Sequence, residues 1–444
     1  MNLKLYTESN RDRAGQAGIS RLRRPAKFSR SAFTRIEVFM QVISDTASID
    51  VTDITPYLGK LIRFRRDLHA HPELRFEEVR TSDQVANYLT ELGLDVHRGM
   101  GKTGVVATLR GRGAQANDPA RVLALRADMD ALPVTELNQF EYASTYAGRM
   151  HACGHDGHTA MLLGGATLLA ANPDFNGTVH FIFQPGEEGG AGARAMIEDG
   201  LFDTFPAKAA FALHNWPVLP AGQMGVRVGP IMAAANRFEI RVSGKGGHAA
   251  QPHIGVDPIP VACTIVGQLQ TLVSRGTDPL DSAVVTVGKI ESGTVENIIP
   301  NEAIIYGTTR ALTQETLNRL TVGLERISEH IAAAHGATAK FILKPGYPST
   351  DNHPKEAAFM AKMMAATVGV ENAFDNIPPA MTAEDFSFML LKVPGAYGFI
   401  GNGKGGKPGV SLHNAGYDFN DDILGVGAQF WDRLAREWFK TEVV

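Results

Sequence analysis

The sequence predicts an α/β fold, a mostly parallel sheet covered by helices and interrupted by a smaller β-α-β-β-α-β unit. Three observations carry that expectation. The chain has 444 residues, more than one ordinary core holds at roughly 100 to 200 residues per domain. Short, continuous apolar runs alternate with helical stretches, the pattern of strands buried on both faces. Between about Asn236 and Pro345 the strand and helix signals follow an order of their own.

Along the chain, the first helix is expected over Ile54–Leu68, where Leu58, Leu61, Ile62 and Leu68 recur at helical spacing. A second runs from Ser82 to Leu92 and stops at Gly93. Four apolar runs then read as buried strands: Val122–Leu125, Val179–Phe183, Ala209–Leu213 and Ala396–Ile400. In the interrupting unit, Phe238–Val242 alternates like a half-buried strand and Pro258–Val273 is helical. Ala283–Ile290 and Ala303–Arg310 read as strands, Glu315–His335 as a helix and Ala337–Leu343 as a closing strand. The expected division is therefore a main domain of residues 50–235 plus 346–444 and an insert of residues 236–345. The chain would cross between them near Ala233–Asn236 and Pro345–Pro348.

Composition narrows the function. Hydrophobic residues at 44% and charged residues at 20% are ordinary for a globular protein. Lys plus Arg is 43 against Asp plus Glu at 47, a net charge of −4, so the basic excess of a nucleic-acid binder is missing. No apolar stretch reaches the roughly 18 residues that a membrane span requires. Cys153 and Cys263 are too few for a disulfide framework and point to a reducing compartment, the cytoplasm, or to a thiol with a chemical task. The first 40 residues carry nine basic and three acidic side chains, +6, which leaves −10 for the remainder. That arm lacks the apolar centre of a secretory signal, and its Arg and Ser content has some likeness to an organelle transit peptide. We read residues 1–49 as a disordered extension, or the start as placed too early with Met40 the true start.

Chemistry gathers where the strands end. The runs ending at Leu125, Phe183 and Leu213 continue into Asp128-Met129-Asp130, Gln184-Pro185-Gly186-Glu187-Glu188 and His214-Asn215. Carboxyl ends of strands form the ligand crevice of open α/β sheets, so Asp128, Asp130, Glu187, Glu188 and His214 should converge. Between the first two runs lies His151-Ala152-Cys153-Gly154-His155-Asp156-Gly157-His158, opening a helix over Thr159–Ala171. Cys153 and His155 both reach one ion if the backbone between them is extended, and Gly154 removes a steric obstacle. A structural zinc ribbon needs a second Cys doublet, and none exists; a catalytic site drawing ligands from several segments fits better than that or a His-rich surface loop. On an extended chain Glu187 and Glu188 point in different directions, so one ligates while its neighbour serves as general base. His413, in Ser411-Leu412-His413-Asn414, echoes Leu213-His214-Asn215; a lone histidine is more often a core or surface residue, and its case rests on supplying a missing ligand.

At this point the chain resembles a known family. The motifs are Phe64-Arg65-Arg66-Asp67-Leu68-His69-Ala70-His71-Pro72-Glu73-Leu74, Arg126-Ala127-Asp128-Met129-Asp130-Ala131-Leu132-Pro133, Met150 to His158, Gln184 to Glu188, and Met381-Thr382-Ala383-Glu384-Asp385-Phe386. Together they look like the metal-dependent amidohydrolases that include hippurate hydrolases, aminoacylases and auxin-conjugate (indole-acetyl-amino acid) hydrolases. The match runs from about Thr55 to the C-terminus. It implies a dinuclear centre of divalent ions with Cys153, His155, Glu188, His214 and His413 as ligands and Glu187 as general base. It also implies that the insert is a lid pairing subunits into a homodimer or homotetramer. In that lid His248 matches a histidine that stabilises the oxyanion, commonly across the dimer interface, while Asn297 and Arg310 match a pair that holds substrate polar groups. Arg310 at a strand end suits a carboxylate. Thiolate and imidazole suit zinc, and the family also uses manganese, nickel or cobalt.

Other residues have simpler expectations. Asp128 and Asp130 should orient ligands rather than ligate. Thr382 to Asp385 reads as a helix N-cap with its acidic partner. His69, His71, His151, His158 and His253 should line the cleft, support ligands or lie on the surface, and Cys263 should be a small core residue. The resulting expectation is hydrolysis of the amide bond of an N-acyl amino acid, acetyl, benzoyl or similar, to a carboxylic acid and a free amino acid. The alternatives are a carboxypeptidase or dipeptidase on the same scaffold and a catalytically silent binding protein; the intact Cys153, His155, Glu187, Glu188, His214 and His413 set weighs against the last.

Overall fold

The computed structural model describes residues 53–403 and 410–440, and the extension read into residues 1–49 lies outside them. Eight strands form the main sheet: β1 (Asp95–Met100), β2 (Gly104–Arg110), β3 (Val122–Asp128), β4 (Thr178–Gln184), β5 (Ala209–Trp216), β6 (Met224–Gly225), β15 (Ala373–Phe374) and β16 (Gly395–Gly401). Their order is β1-β2-β4-β3-β5-β16-β6-β15. The central strands β4, β3, β5 and β16 are parallel to one another. The β1–β2, β2–β4 and β16–β6 pairings are antiparallel, so the sheet is mixed, with a parallel centre.

Each expected apolar run proves to be part of a longer strand: Val179–Phe183 and Ala396–Ile400 are the middle of theirs, Val122–Leu125 and Ala209–Leu213 the start. All seven residues of β3 and of β4 are buried, including Arg126, Asp128 and Gln184 on their last rungs. His214 and Asn215 likewise close β5 while still paired to β16. The polar groups of the site are thus carried by the ladder itself, at one edge of the parallel centre.

One face of the sheet is covered by helices Thr55–Ala70, Val79–Glu91, His155–Ala171, Pro354–Val368 and Leu424–Trp438 around the largest apolar core. The helix His155–Ala171 is buried along nearly its whole length, as an all-round apolar helix must be. Gly165 permits its close approach to Leu424–Trp438, because a Cβ there would sit 2.6 Å from Trp431 Cβ. A smaller core on the opposite face packs Met196, Phe386 and Met389 against the sheet.

The insert-region strands β8 (Ala234–Ser243), β10 (Ala283–Ser292), β12 (Glu302–Ala311) and β13 (Thr338–Tyr347) form a separate antiparallel sheet in the order β10-β12-β8-β13. Helices Pro258–Leu269 and Gln314–Ala334, N-capped by Asp257 and Thr313, bury Phe238, Ile240 and Val242 on one of its faces. Two short ladders complete the topology: β7 (Gly229–Met232) with β14 (Thr350–Asn352) beside the two chain crossings, and β9 (Gly247–His248) with β11 (Ile298–Ile299). Cys263 is exposed, contrary to its expected place in the core. The buried stripe of its helix is Pro258, Val261, Ala262, Ile265 and Leu269, and Cys263 falls outside it.

Candidate metal centre

Three loops build the site, and in each a left-handed residue sets the turn. Gly154 has φ +93° and precedes the helix whose first residue is His155, so the Cys153–His155 backbone is not extended as expected. A Cβ at Gly154 would lie 2.3 Å from Asn215 Nδ2 and 2.5 Å from Tyr417 Oη, so both the space and the conformation require glycine. Glu187 and Glu188 also sit in a turn rather than on an extended chain, bracketed by Gly186 at φ +60° and Gly189 at φ +72°. Gly186 N donates to Glu78 Oε1 at 2.8 Å, while Glu187 N and Glu188 N donate to the two oxygens of Asp130 at 3.0 and 2.9 Å. His413, at φ +63°, is tied to the first loop by its N–H to Ala152 O at 2.7 Å.

The expected ligands converge. Donor atoms of Cys153, His155 and His214 all lie within 4.8 Å of one another, as do those of Cys153, Glu188 and His413, and those of His155, Glu187 and Glu188. Cys153 belongs to the first two of these groups, so two adjacent positions would share the thiol. The hydrogen bonds settle which nitrogen of each imidazole faces inward. His155 Nδ1 donates to Asp130 Oδ1 at 3.2 Å, leaving Nε2 buried with no hydrogen-bond partner. His214 Nδ1 donates to Asn215 O at 2.6 Å, and its Nε2 stands 3.5 Å from Cys153 Sγ. His413 Nε2 is 3.0 Å from Glu188 Oε1. Imidazole nitrogens clustered with a thiol and carboxylates are a donor set that fits divalent cations.

The charges agree with that fit. Burial lowers His155, but Asp128 and Cys153 outweigh it and hold the imidazole well above its usual range. Hydrogen bonding to Cys153 and Glu188 pushes His413 up to about 10. Burial and the Glu188 carboxylate raise the Cys153 thiol. Burial, followed by Glu384, Glu188 and Asp385, keeps Glu187 well above the carboxylate range. This is a pocket of anionic donors removed from water, whose repulsion a bound cation relieves.

Supporting residues surround the donors. His158 Nδ1 donates to Asp128 Oδ1 at 2.6 Å and its Nε2 accepts from Asn215 N at 2.9 Å, so neither nitrogen is available for ligation. Asn215 also bonds Cys153 O and receives Tyr417 Oη. Asp128 and Asp130 orient histidines, in line with the sequence reading. Thr382–Asp385, read as a helix cap, is something else: Glu384 and Asp385 are buried and bond Arg126 at 2.9 and 3.0 Å, and Glu384 and Asp385 group with Glu187. The short helix that follows has Phe386 as its cap residue, with no side-chain bond. Arg126, named in the sequence only within its motif, is thus the buried cation that holds both carboxylates. His69 is buried between Asp156 at 2.9 Å and Glu136 at 3.1 Å, His151 is buried, His71 Nδ1 donates to Asp67 O, and His253 is exposed.

The inserted sheet contributes less directly. His248 and Asn297 are exposed at the β9–β11 ladder, where Ala249 N bonds Asn297 O, and among the described residues no hydrogen bond or ion pair joins them to the cluster. Arg310 is half-buried and lines a cavity of about 380 Å³ with Gly189, Gly190 and Ala191.

A mixed α/β fold with a clustered Cys/His/Glu centre at its strand ends defines a metallohydrolase class, and comparison with known proteins makes it particular. Residues 124–437 match the model of peptidase family M20/M25/M40. The chain is 39% identical over 381 residues to an N-acetylcysteine deacetylase of Bacillus subtilis, covering 85% of this chain and 96% of that one. It is 38% identical over 390 residues to a hippurate hydrolase of Campylobacter jejuni, covering 88% and 99%. Thermostable carboxypeptidase 2 of Saccharolobus solfataricus is 39% identical, covering 85% and 94%. Among solved structures, a Bacillus subtilis dinuclear metal binding peptidase from the M20 family superposes with a TM-score of 0.76 at 35% identity, covering 87% and 99%. The chain belongs to the peptidase M20/M25/M40 family.

Proposed function

We propose that this protein is a metal-dependent amidohydrolase that cleaves the amide bond of N-acyl amino acids. The observation that carries the reading is the convergence of Cys153, His155, Glu188, His214 and His413 beside a buried Glu187. Those five side chains would hold two divalent cations, with zinc best matched to the thiolate and imidazoles and manganese, nickel or cobalt the alternatives. When bound, the cations supply Lewis acidity and make water acidic near neutral pH.

Glu187 takes the proton of the attacking water and returns it to the leaving amine. Its burial among Glu384, Glu188 and Asp385 favours the protonated carboxyl that this shuttle passes through. Glu78 and Asp130 hold the backbone of its turn, and the Tyr347 hydroxyl donates to the backbone Glu187 O at 2.5 Å, which ties the turn down on its other side. Arg310 pairs with the substrate carboxylate, Asn297 holds its polar groups, and His248 of a second copy stabilises the oxyanion, with residues 236–345 acting as lid and dimer or tetramer contact for the split domain 50–235 plus 346–444. No helix among the described residues is long and apolar enough to cross a membrane. The free, exposed Cys263 supports a reducing compartment, the cytoplasm.

Glu187→Gln tests the assignment. It should retain both metals and lower turnover of N-acetyl, N-benzoyl and indole-acetyl amino acids by orders of magnitude; near-normal turnover would remove Glu187 from its role. The carboxypeptidase relatives favour a second reading, peptide cleavage, and faster hydrolysis of free dipeptides than of acyl amino acids would select it.

A further inference from the structure

Phe238, Ile240 and Val242 face the helices, so Arg237 on β8 and Arg310 on β12 project from the opposite, helix-free face of the inserted sheet. The register sets Arg310 opposite Ala235, which makes Arg237 its diagonal neighbour, roughly 7 to 8 Å away between backbones. Both line the cavity whose far wall is Gly189, Gly190 and Ala191, directly after Glu188.

The charges in this cavity are unequal in kind. Lys344 is balanced by Glu239 at 2.9 Å and Arg194 faces Glu198 at 3.7 Å. Arg237 and Arg310 have no carboxylate in ion-pair range among the described residues, and no acidic residue lines the cavity. Arg310 donates only to the Thr308 hydroxyl and to Thr309 O. Burial and the neighbouring Arg237 lower its pKa, so the two guanidiniums repel. Like charges on neighbouring strands destabilise a sheet, and an anion bound between them relieves the strain.

We propose that Arg237 is a specificity-determining residue: with Arg310 it forms a two-cation seat for an amino-acid moiety bearing two carboxylates, an N-acyl glutamate or aspartate. The inference rests on the hydrolytic reading above and adds the charge of the leaving amino acid to it. Arg310 takes one carboxylate through its fork of donors, and Arg237 takes the side-chain carboxylate.

The test compares near-isosteric pairs on the metal-reconstituted full chain: N-acetyl-glutamate with N-acetyl-glutamine, and N-acetyl-aspartate with N-acetyl-asparagine. The acidic member should have a kcat/KM roughly tenfold higher at low salt, the size of one partly screened ion pair, and the ratio should shrink as salt rises. Arg237→Gln should bring the ratio toward one, while Arg237→Lys keeps most of it. Equal or reversed preference in the unaltered protein overturns the proposal, as does an Arg237→Gln variant that slows both members equally. Absence of turnover on all four and on N-benzoyl and indole-acetyl amino acids as well refutes the hydrolytic reading instead; where the four alone are not turned over, the seat is decided by calorimetric binding of N-acetyl-glutamate against N-acetyl-glutamine, with equal affinity overturning it.

Discussion

Asp130→Asn is the substitution that most sharply separates holding the metal centre from performing its chemistry. Asp130 never enters a donor group facing the cluster, yet its carboxylate joins two ligand loops: Oδ1 accepts from Glu187 N at 3.0 Å and His155 Nδ1 at 3.2 Å, and Oδ2 accepts from Glu188 N at 2.9 Å. An amide of the same shape has one accepting oxygen and one donating nitrogen. If the oxygen stays with His155 and Glu187, the Glu188 N–H meets another donor. A buried donor left unsatisfied costs about 1 to 3 kcal/mol. Removing a group that orients a ligating histidine typically weakens metal affinity about 10- to 100-fold, or about 1.4 to 2.8 kcal/mol. The two routes give the same size. Chelator competition with metal-stoichiometry measurement should therefore show weaker binding of about that factor. Turnover should largely return at excess metal, because Glu187 keeps its own carboxylate. Metal affinity within twofold of the unaltered protein, or loss of turnover that excess metal does not restore, would refute the reasoning.

Gly154→Ala should destabilise the chain by about 2 to 5 kcal/mol, summing a left-handed Ala and a Cβ driven into Asn215 and Tyr417, and urea unfolding of the metal-free protein reads it directly. A change below 0.5 kcal/mol would show that the Cys153–His155 turn relaxes freely. His180, buried on β4 and bonded to Thr108 Oγ1, has its pKa lowered by burial and Arg110 from 6.5 to about 4. The unfolded chain takes up this proton first as pH falls, so the stability is intact above about pH 6.5 and declines toward pH 4, by about 3 kcal/mol at most. His180→Gln should flatten that part of the curve of stability against pH; an unchanged slope between pH 7 and 4 would mean that other groups set it.

Glu187, Glu188 and His214 could be expected to converge because they follow apolar runs closely and strand ends in a parallel sheet meet at one edge, whereas Cys153, His155 and His413 stood out only as motifs between or beyond such runs. The conformations were not legible. A two-residue spacing between Cys153 and His155 suggested extended backbone, whereas the actual solution is a left-handed glycine whose necessity appears only when Asn215 and Tyr417, 61 and more residues away in sequence, close over it. Glu384 and Asp385 failed in the same way. Their spacing from Thr382 satisfies a cap, and nothing local reveals that Arg126, 258 residues earlier, is waiting for them. A signal was nevertheless present. Arg126, Asp128 and Asp130 alternate with Ala127 and Met129, and a period of two places the three charged side chains on one face while Ala127 and Met129 enter the core on the other. A strand that alternates in this way inside a buried sheet must satisfy its charges at that edge. Arg126 secures Glu384 and Asp385 beside Glu187, Asp128 secures His158, and Asp130 secures His155 and the Glu187–Glu188 turn. The tail of one strand thereby orients groups from three segments, which is why the ligands themselves need so little sequence in common.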